Sequence, residues 1–307
     1  MARRKSSSDS GGFLFKTGIF AALAGLAFFL FNQFGSKKAD QPIDEKPPIE
    51  IPEKSARSET QPPTESQVPA EILPASNGEL VRHTWFALGY SEDHEQAEWV
   101  AYELTRDRLN DNWADRPNTF RPDAEVHTES ATPRDYSGSG YDKGHLCPAA
   151  DMAFNADAID ETFMMSNMSP QVPAFNMGIW RELEELTRDW ARRFKQLYVV
   201  TGPVLTQPGL AQIGFSKVTV PGYYYKVLLA PEEQRAIAFI MPNERSDQPV
   251  MNFACSIDKV EKATGIDFFP KLLQGLGEEL EGSLDKDAWP INRTRYEERV
   301  KVWNLRR

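Results

Sequence analysis

Apolar and polar positions divide the chain into three textures. From Thr17 to Phe34 the residues form an apolar run interrupted only by Asn32 and Gln33. A run of that length without a polar face predicts a membrane-spanning helix, not the amphipathic helix of a core. From Lys37 to Ser76, Pro, Glu, Ser and Gln dominate and no aromatic residue occurs. Such a segment has too little apolar surface to bury, and its prolines predict a semi-extended tether. From Gly78 onward aromatic residues and regular Gly and Pro punctuation give the texture of a globular domain, with no internal repeat.

Within that domain FKQLYVVTGPVL, YYYKVLLA and QRAIAFIMPN are β-branched and aromatic runs closed by Gly-Pro, Pro or Pro-Asn, as strands of a buried sheet are. One long helical pattern stands before them. FNMGIWRELEELTRDWARRFKQ carries Trp180, Leu183, Leu186 or Thr187, Trp190 and Phe194 along one stripe. EQAEWVAYELTRDRLN spaces Ala97, Val100, Ala101, Leu104 and Leu109 almost as a helix would, while a strand through WVAYEL fits the same short pattern. Strands mixed with a few helices predict an α+β domain with an at least partly antiparallel sheet.

Composition narrows the function classes. The 307 residues, 40% of them hydrophobic, supply one sizeable core plus appendages. A net charge of -10 argues against a broad cationic footprint for nucleic acid or anionic lipid, so any phosphate site is local. Residues 1–12 read as a short cytoplasmic N-terminus, 13–35 as an uncleaved transmembrane anchor, 36–77 as the tether and 78–307 as the catalytic domain. The segment after the apolar run lacks a small-x-small cleavage pattern. Arg3, Arg4 and Lys5 favour a cytoplasmic N-terminus and Lys16, Lys37 and Lys38 pull the other way, so the expected topology, an exported domain, rests on the first group.

His83, His94 and His127 have the surroundings of structural or exposed histidines, whereas His145 in YDKGHLCPAADM lies between Gly144, polar Asp142 and Lys143, and the turn residue Pro148. A neutral imidazole there suits a general base taking a proton from water. A second cluster follows in TFMMSNMSPQVPAFNMGIWRELE. Asn176 stands near the start of the long helix with Glu184 eight residues on, a rise of about 12 Å, too far for both to grip one ion directly. Helical side chains lean toward the N-terminus, so Glu184 could hold the waters of an ion ligated by Asn176. That donor set suits Mg²⁺ and not Zn²⁺. A capping Asn and a solvated Glu fit the same segment.

DKGHLCPAAD, SNMSPQ and NMGIWRELE, in this order, closely resemble the signature blocks of the DNA/RNA non-specific endonucleases, the ββα-metal nucleases. The likeness continues through VVTGPVL, VPGYYYKVLL, AFIMPN and TGIDFFP. It implies a ββα-metal nuclease fold, a mainly antiparallel central sheet flanked by helices, and hydrolysis of DNA and RNA to 5′-phosphate products. By resemblance His145 is the general base, Asn176 the direct ligand of Mg²⁺ (with Mn²⁺ as a substitute), and Glu184 a ligand through water. Asn167 supports catalysis, and Gln171 and Lys143 contact substrate. Lys143 stands where the family has arginine, keeping the charge but losing the bidentate grip on phosphate. The family's upstream arginine, which stabilises the transition state, matches Arg116 in RPNTFRPD, with Arg121 left as a substrate contact.

Cys147 and Cys255 are the only cysteines and allow a disulfide or two free thiols. Expected partners are DNA and RNA, the membrane through the N-terminal helix, and a second copy as a homodimer. A catalytically silent nucleic-acid-binding relative and an envelope scaffold are the rival readings.

Overall fold

The structure, a computed structural model, describes residues 66–75, 78–111, 113–272 and 277–305. The expected anchor and most of the expected tether lie outside these residues. No helix among the described residues is long and apolar enough to cross a membrane. The stretch 66–75, read from sequence as the end of the tether, docks on the domain. Val68 and Ile72 are buried, Gln67 N donates to Thr84 O at 2.8 Å, and Ala75 bridges Asp267. Three apolar residues among the prolines, Val68, Ile72 and Leu73, suffice to seat it.

Seven strands form one antiparallel sheet: β1 (Glu79–Arg82), β2 (Ala87–Ser91), β3 (Gln96–Thr105), β6 (Gln196–Pro203), β9 (Tyr223–Ala230), β10 (Arg235–Pro242) and β11 (Ala254–Cys255), in that order across the sheet. The three strands expected from β-branched runs are β6, β9 and β10. The ambiguous EQAEWVAYEL is a strand, and helix α1 (Arg106–Asn110) starts only after it, with the Thr105 hydroxyl accepting from Arg108 N. Both faces of β3 are covered, which hid its alternation. Ala97, Val100, Tyr102 and Leu104 enter one core, and Trp99 and Ala101 the other.

After a short helix α2 (Ala156–Glu161) comes α3 (Arg181–Phe194); the first core lies under α3, whose stripe Leu183, Leu186, Thr187, Trp190 and Phe194 is buried as its spacing predicts. Trp190 stacks on Phe239 at 5.9 Å and meets Trp289 edge-on at 5.2 Å. Each such burial is worth about 1.5–3 kcal/mol. The second core lies under α4 (Ile257–Thr264), which ends at Gly265 with φ +74, the left-handed cap glycine adopts readily.

On the α3 side stands a two-stranded ribbon, β4 (Asp142–His145) paired antiparallel with β5 (Met168–Gln171). Ser169 Oγ ties it to the main sheet through Gln96 Oε1 and through Tyr224 Oη at 2.6 Å. From β5 the chain passes through an α-turn (Pro173–Phe175) and a π-helical turn (Asn176–Trp180) into α3. Two strands followed by a helix thus form one unit that holds His145, Asn176 and Glu184. A second two-stranded sheet is the hairpin of β7 (Gln212–Ile213) with β8 (Val218–Thr219).

Candidate active site

His145 ends β4 opposite Met168. Its half-buried ring meets Phe163 edge-on at 5.0 Å and Phe120 at 5.9 Å. Nε2 is wholly covered and has no hydrogen-bond partner among the described residues, and Nδ1 makes no hydrogen bond to them either, which leaves it as the ring nitrogen not shut in by protein in that way. Burial first, and then the nearby Arg116 guanidinium, lower its pKa from 6.5 to about 3, so the imidazole stands neutral. Arg116 is exposed, its Cζ 5.4 Å from the Phe163 ring that borders His145. Lys143, two residues before His145 and on the same strand face, places Nζ 4.9 Å from the Phe120 ring and 6.0 Å from Tyr136. Neither cation has a salt bridge among the described residues.

Asn167 and Gln171 lie beneath the ribbon, not on its open face. Asn167 is fully buried; its Oδ1 accepts from Cys147 N at 2.8 Å and its Nδ2 donates to Cys147 O and Thr162 O at 2.9 Å. Two of its three amide bonds hold the Cys147 backbone just past His145 and the third holds Thr162 O, so it ties that segment to the chain around Thr162 from a fully buried position. Gln171 is fully buried as well, its amide without a partner. It fills the space above Gly144, where an added Cβ would lie 2.2 Å from Gln171 Cδ. Glycine stands before the histidine because Gln171 occupies that space; its φ is not left-handed and no sharp turn occurs there. Arg121 is held by Asp160, Nη2 to Oδ2 at 2.7 Å and Nη1 to Oδ1 at 3.3 Å, which turns its guanidinium to a carboxylate instead of leaving it open for substrate.

Asn176 opens the π-helical turn, and its Nδ2 donates to Asp142 Oδ2 at 2.9 Å. A carboxylate only accepts, so the bond sets the amide's orientation and leaves Oδ1 without a protein partner, as a ligand oxygen must be. The same Asp142 heads the strand that ends in His145, and this brings the two signature blocks together. Glu184, in the first turn of α3, is half-buried with no hydrogen bond or salt bridge among the described residues. Burial raises its pKa to about 7, against the pull of Arg188 and Lys226 and with a further push from Asp151 and Glu185. A divalent cation fits this donor set: one free amide oxygen and one unpartnered carboxylate, all oxygen.

Sequence reasoning missed the polar network below Glu184. Arg188 Nη1 donates to Asp151 Oδ1 at 2.8 Å, Tyr102 Oη donates to Asp151 Oδ2 at 2.8 Å, and the fully buried Lys226 donates to Thr201 Oγ1. The helical offset of four between Glu184 and Arg188 was the available signal. Cys147 is buried and burial pushes its thiol well up, which removes it as a nucleophile; Cys147 and Cys255 are both free thiols. His83 is a core histidine bound to Asp123 at 2.9 Å, and His94 bonds Thr219 at 3.0 Å. A surface group of three carboxylates close enough to share a cation, Asp258, Glu261 and Glu281, sits at the α4 side of the sheet and includes none of these residues.

The family model for DNA/RNA non-specific endonuclease matches residues 65–275. The chain belongs to that family. It is 35% identical over 216 residues to nuclease C1 of Cunninghamella echinulata var. echinulata, covering 65% of this chain and 86% of that one. It is 35% identical over 207 residues to human mitochondrial endonuclease G (62% and 70% covered), and 32% identical over 235 residues to a nuclease of Nostoc sp. (71% and 82%). Among solved structures, that of the EndoG/EndoGI complex superposes with a TM-score of 0.60 at 30% identity over 64% of this chain and 87% of that one. The protein is therefore a nuclease, a phosphodiester hydrolase of the α+β architecture expected, and its family membership implies a divalent metal ion and nucleic-acid substrates.

Proposed function

We propose that this nuclease cuts DNA and RNA without regard to sequence, that His145 is its general base, and that Mg²⁺, replaceable by Mn²⁺, is its metal. The observation that carries the reading is a neutral His145 imidazole bordered by the Phe120 and Phe163 rings, on which Lys143 and Arg116 stand without a salt bridge among the described residues. Nδ1 takes a proton from the attacking water. The incoming phosphate then sets a negative charge near the ring, raising the imidazole's pKa and opposing the depression exerted by Arg116. Arg116 and Lys143 offer N–H donors to the non-bridging oxygens as charge builds on them. Asn176 Oδ1 would hold the cation directly and Glu184 would hold it through water; when bound, the ion supplies Lewis-acid stabilisation of charge on the phosphate and the leaving 3′ oxygen. The product carries a 5′-phosphate.

The apolar run at 17–34 supports the further proposal that the enzyme is anchored in a membrane with its catalytic domain outside the cytoplasm. Digestion of supercoiled plasmid and of total RNA, with Mg²⁺, with EDTA and as His145→Ala, tests the chemistry. Metal-dependent cutting of both that falls about 10²-fold or more in the variant is the expected result. Full activity in EDTA, or in His145→Ala, would overturn the reading. Protease accessibility of the domain in intact cells and spheroplasts tests the topology.

A further inference from the structure

The β7–β8 hairpin closes through four residues, Gly214 to Lys217, and Phe215 at its tip is 100% exposed. Single exposed apolar residues are ordinary, but this one is held in place. Gly214 has φ +70 and lies so near Asp135 that an added Cβ would be 2.4 Å from it. On the other side of the ring the Asp135 carboxylate accepts from Ser216 N at 2.8 Å and Ser216 Oγ at 3.1 Å, and also from Thr132 N and Oγ1 at 2.8 Å. Lys217 follows with φ 61, in the left-handed region that a lysine seldom adopts. The backbone is thus fixed on both sides of Phe215, and the aromatic plane is carried outward. Asp135 is itself buried, so it puts no surface charge beside the ring.

The base of the hairpin joins it to the active site. Ile213 and Val218 pack with Tyr136 and Met168; Tyr136 faces Lys143 Nζ, and Met168 is the strand partner of His145. Arg134 and Lys217 are exposed and, like Arg116 and Lys143, have no salt bridge among the described residues. On a chain of net charge -10, Arg116 and Lys143 stand by the His145 site and Arg134 and Lys217 by the hairpin, and the packing of Tyr136 and Met168 on Ile213 and Val218 joins the two places.

From this we propose that the β7–β8 hairpin is a nucleic-acid contact: Phe215 stacks on an unpaired base of the bound strand and Lys217 takes a neighbouring phosphate, so that single strands are held more tightly than duplex. The proposal rests on the nuclease reading above, since it extends that site's own track. Base–aromatic stacking accepts any base and so keeps the binding non-specific, whereas the bases of a duplex are already stacked on one another.

The test measures binding of the full-length chain, in EDTA so that nothing is cut, to a fluorescent oligonucleotide of about 20 nucleotides and to its duplex. Phe215→Ala should weaken single-strand binding by about 5- to 100-fold. Duplex binding should stay unchanged, and Phe215→Trp should bind as the parent does. Lys217→Ala should reduce the salt slope by about 0.7. Hydrolysis of a p-nitrophenyl phosphodiester, which offers no second base, should not change in Phe215→Ala. Parent-like single-strand binding by Phe215→Ala, in a protein whose parent cuts plasmid, overturns the hairpin proposal and leaves the nuclease reading standing. A parent that neither binds nor cuts either strand form sinks both. Loss of binding to phosphatidylglycerol vesicles, with oligonucleotide binding intact, would make the tip a membrane contact instead and overturn the proposal.

Discussion

Gly144→Ala should disable the enzyme without unfolding it. The new Cβ would stand 2.2 Å from Cδ, 2.3 Å from Oε1 and 2.4 Å from Cγ of Gln171, where ordinary contact begins near 3.4 Å. Something must retreat by more than an ångström. Gln171 is fully buried in β5, so it cannot swing into solvent, and the strain falls on the β4–β5 pairing whose last residue is His145. Overpacking of this kind costs about 1–3 kcal/mol of stability. A displacement of about 1 Å in a catalytic group lowers the rate by about 10²-fold. Urea unfolding and kcat/KM on plasmid, measured on the same preparation, should show a small stability loss beside a large activity loss. Gly144→Ala with Gln171→Ala should recover most of both, since the second substitution removes the colliding atoms. Parent-like kcat/KM in Gly144→Ala, or no recovery in the double variant, would refute the reasoning.

The two candidate arginines should separate cleanly. Arg116→Ala should lower kcat about 10²- to 10³-fold, as removal of a transition-state donor does, while Arg121→Ala, which breaks only a half-exposed pair with Asp160, should cost at most about 1 kcal/mol of stability and little activity. His145, depressed from 6.5 to about 3, is neutral in the fold but takes a proton when unfolded, so its share of stability is full above about pH 6.5 and lost as pH falls toward 3. Glu184, raised from 4.5 to about 7, has the opposite sign: its share is full below about pH 4.5 and lost as pH rises through 7. His145→Gln should therefore flatten the acid limb of a stability–pH curve and Glu184→Gln the neutral limb, both read from urea midpoints. Arg299→Ala, which strands the buried Glu182 carboxylate and two carbonyls, should cost about 3–5 kcal/mol, with Arg299→Ala plus Glu182→Leu regaining much of it by calorimetry.

The candidate site residues were more legible in the sequence than their surroundings. His145, Asn176 and Glu184 could be named because turn residues, helix spacing and family blocks all bear on them, and the structure joins the first two through Asp142. Asn167 and Gln171 could be named but not placed: a polar residue in a motif reads the same whether it faces substrate or clamps backbone, and only burial separates the two. Arg121 could be named but its partner could not, because pattern alone cannot see Asp160, which is distant in sequence. In the fold, one-sided elements such as α3 showed their period plainly. β3 did not, since a strand covered on both faces is apolar at consecutive positions and resembles a helix over ten residues.

The π-helical turn that carries Asn176 draws its support from far along the chain. Within that turn Gly178 has φ -105 and ψ -111, and an added Cβ would sit 2.6 Å from Asn304 Oδ1. Asn304 is itself held by Ser246 and Asp247, and the neighbouring Trp303 ring lies 4.0 Å from the Arg181 guanidinium at the start of α3. The turn is thus braced by a segment that leaves the ribosome more than a hundred residues after it. The signature blocks are therefore not a self-sufficient local unit: the turn that presents Asn176 takes its support from residues near the far end of the described chain, so the last helix and the segment after it belong to the architecture around the candidate site.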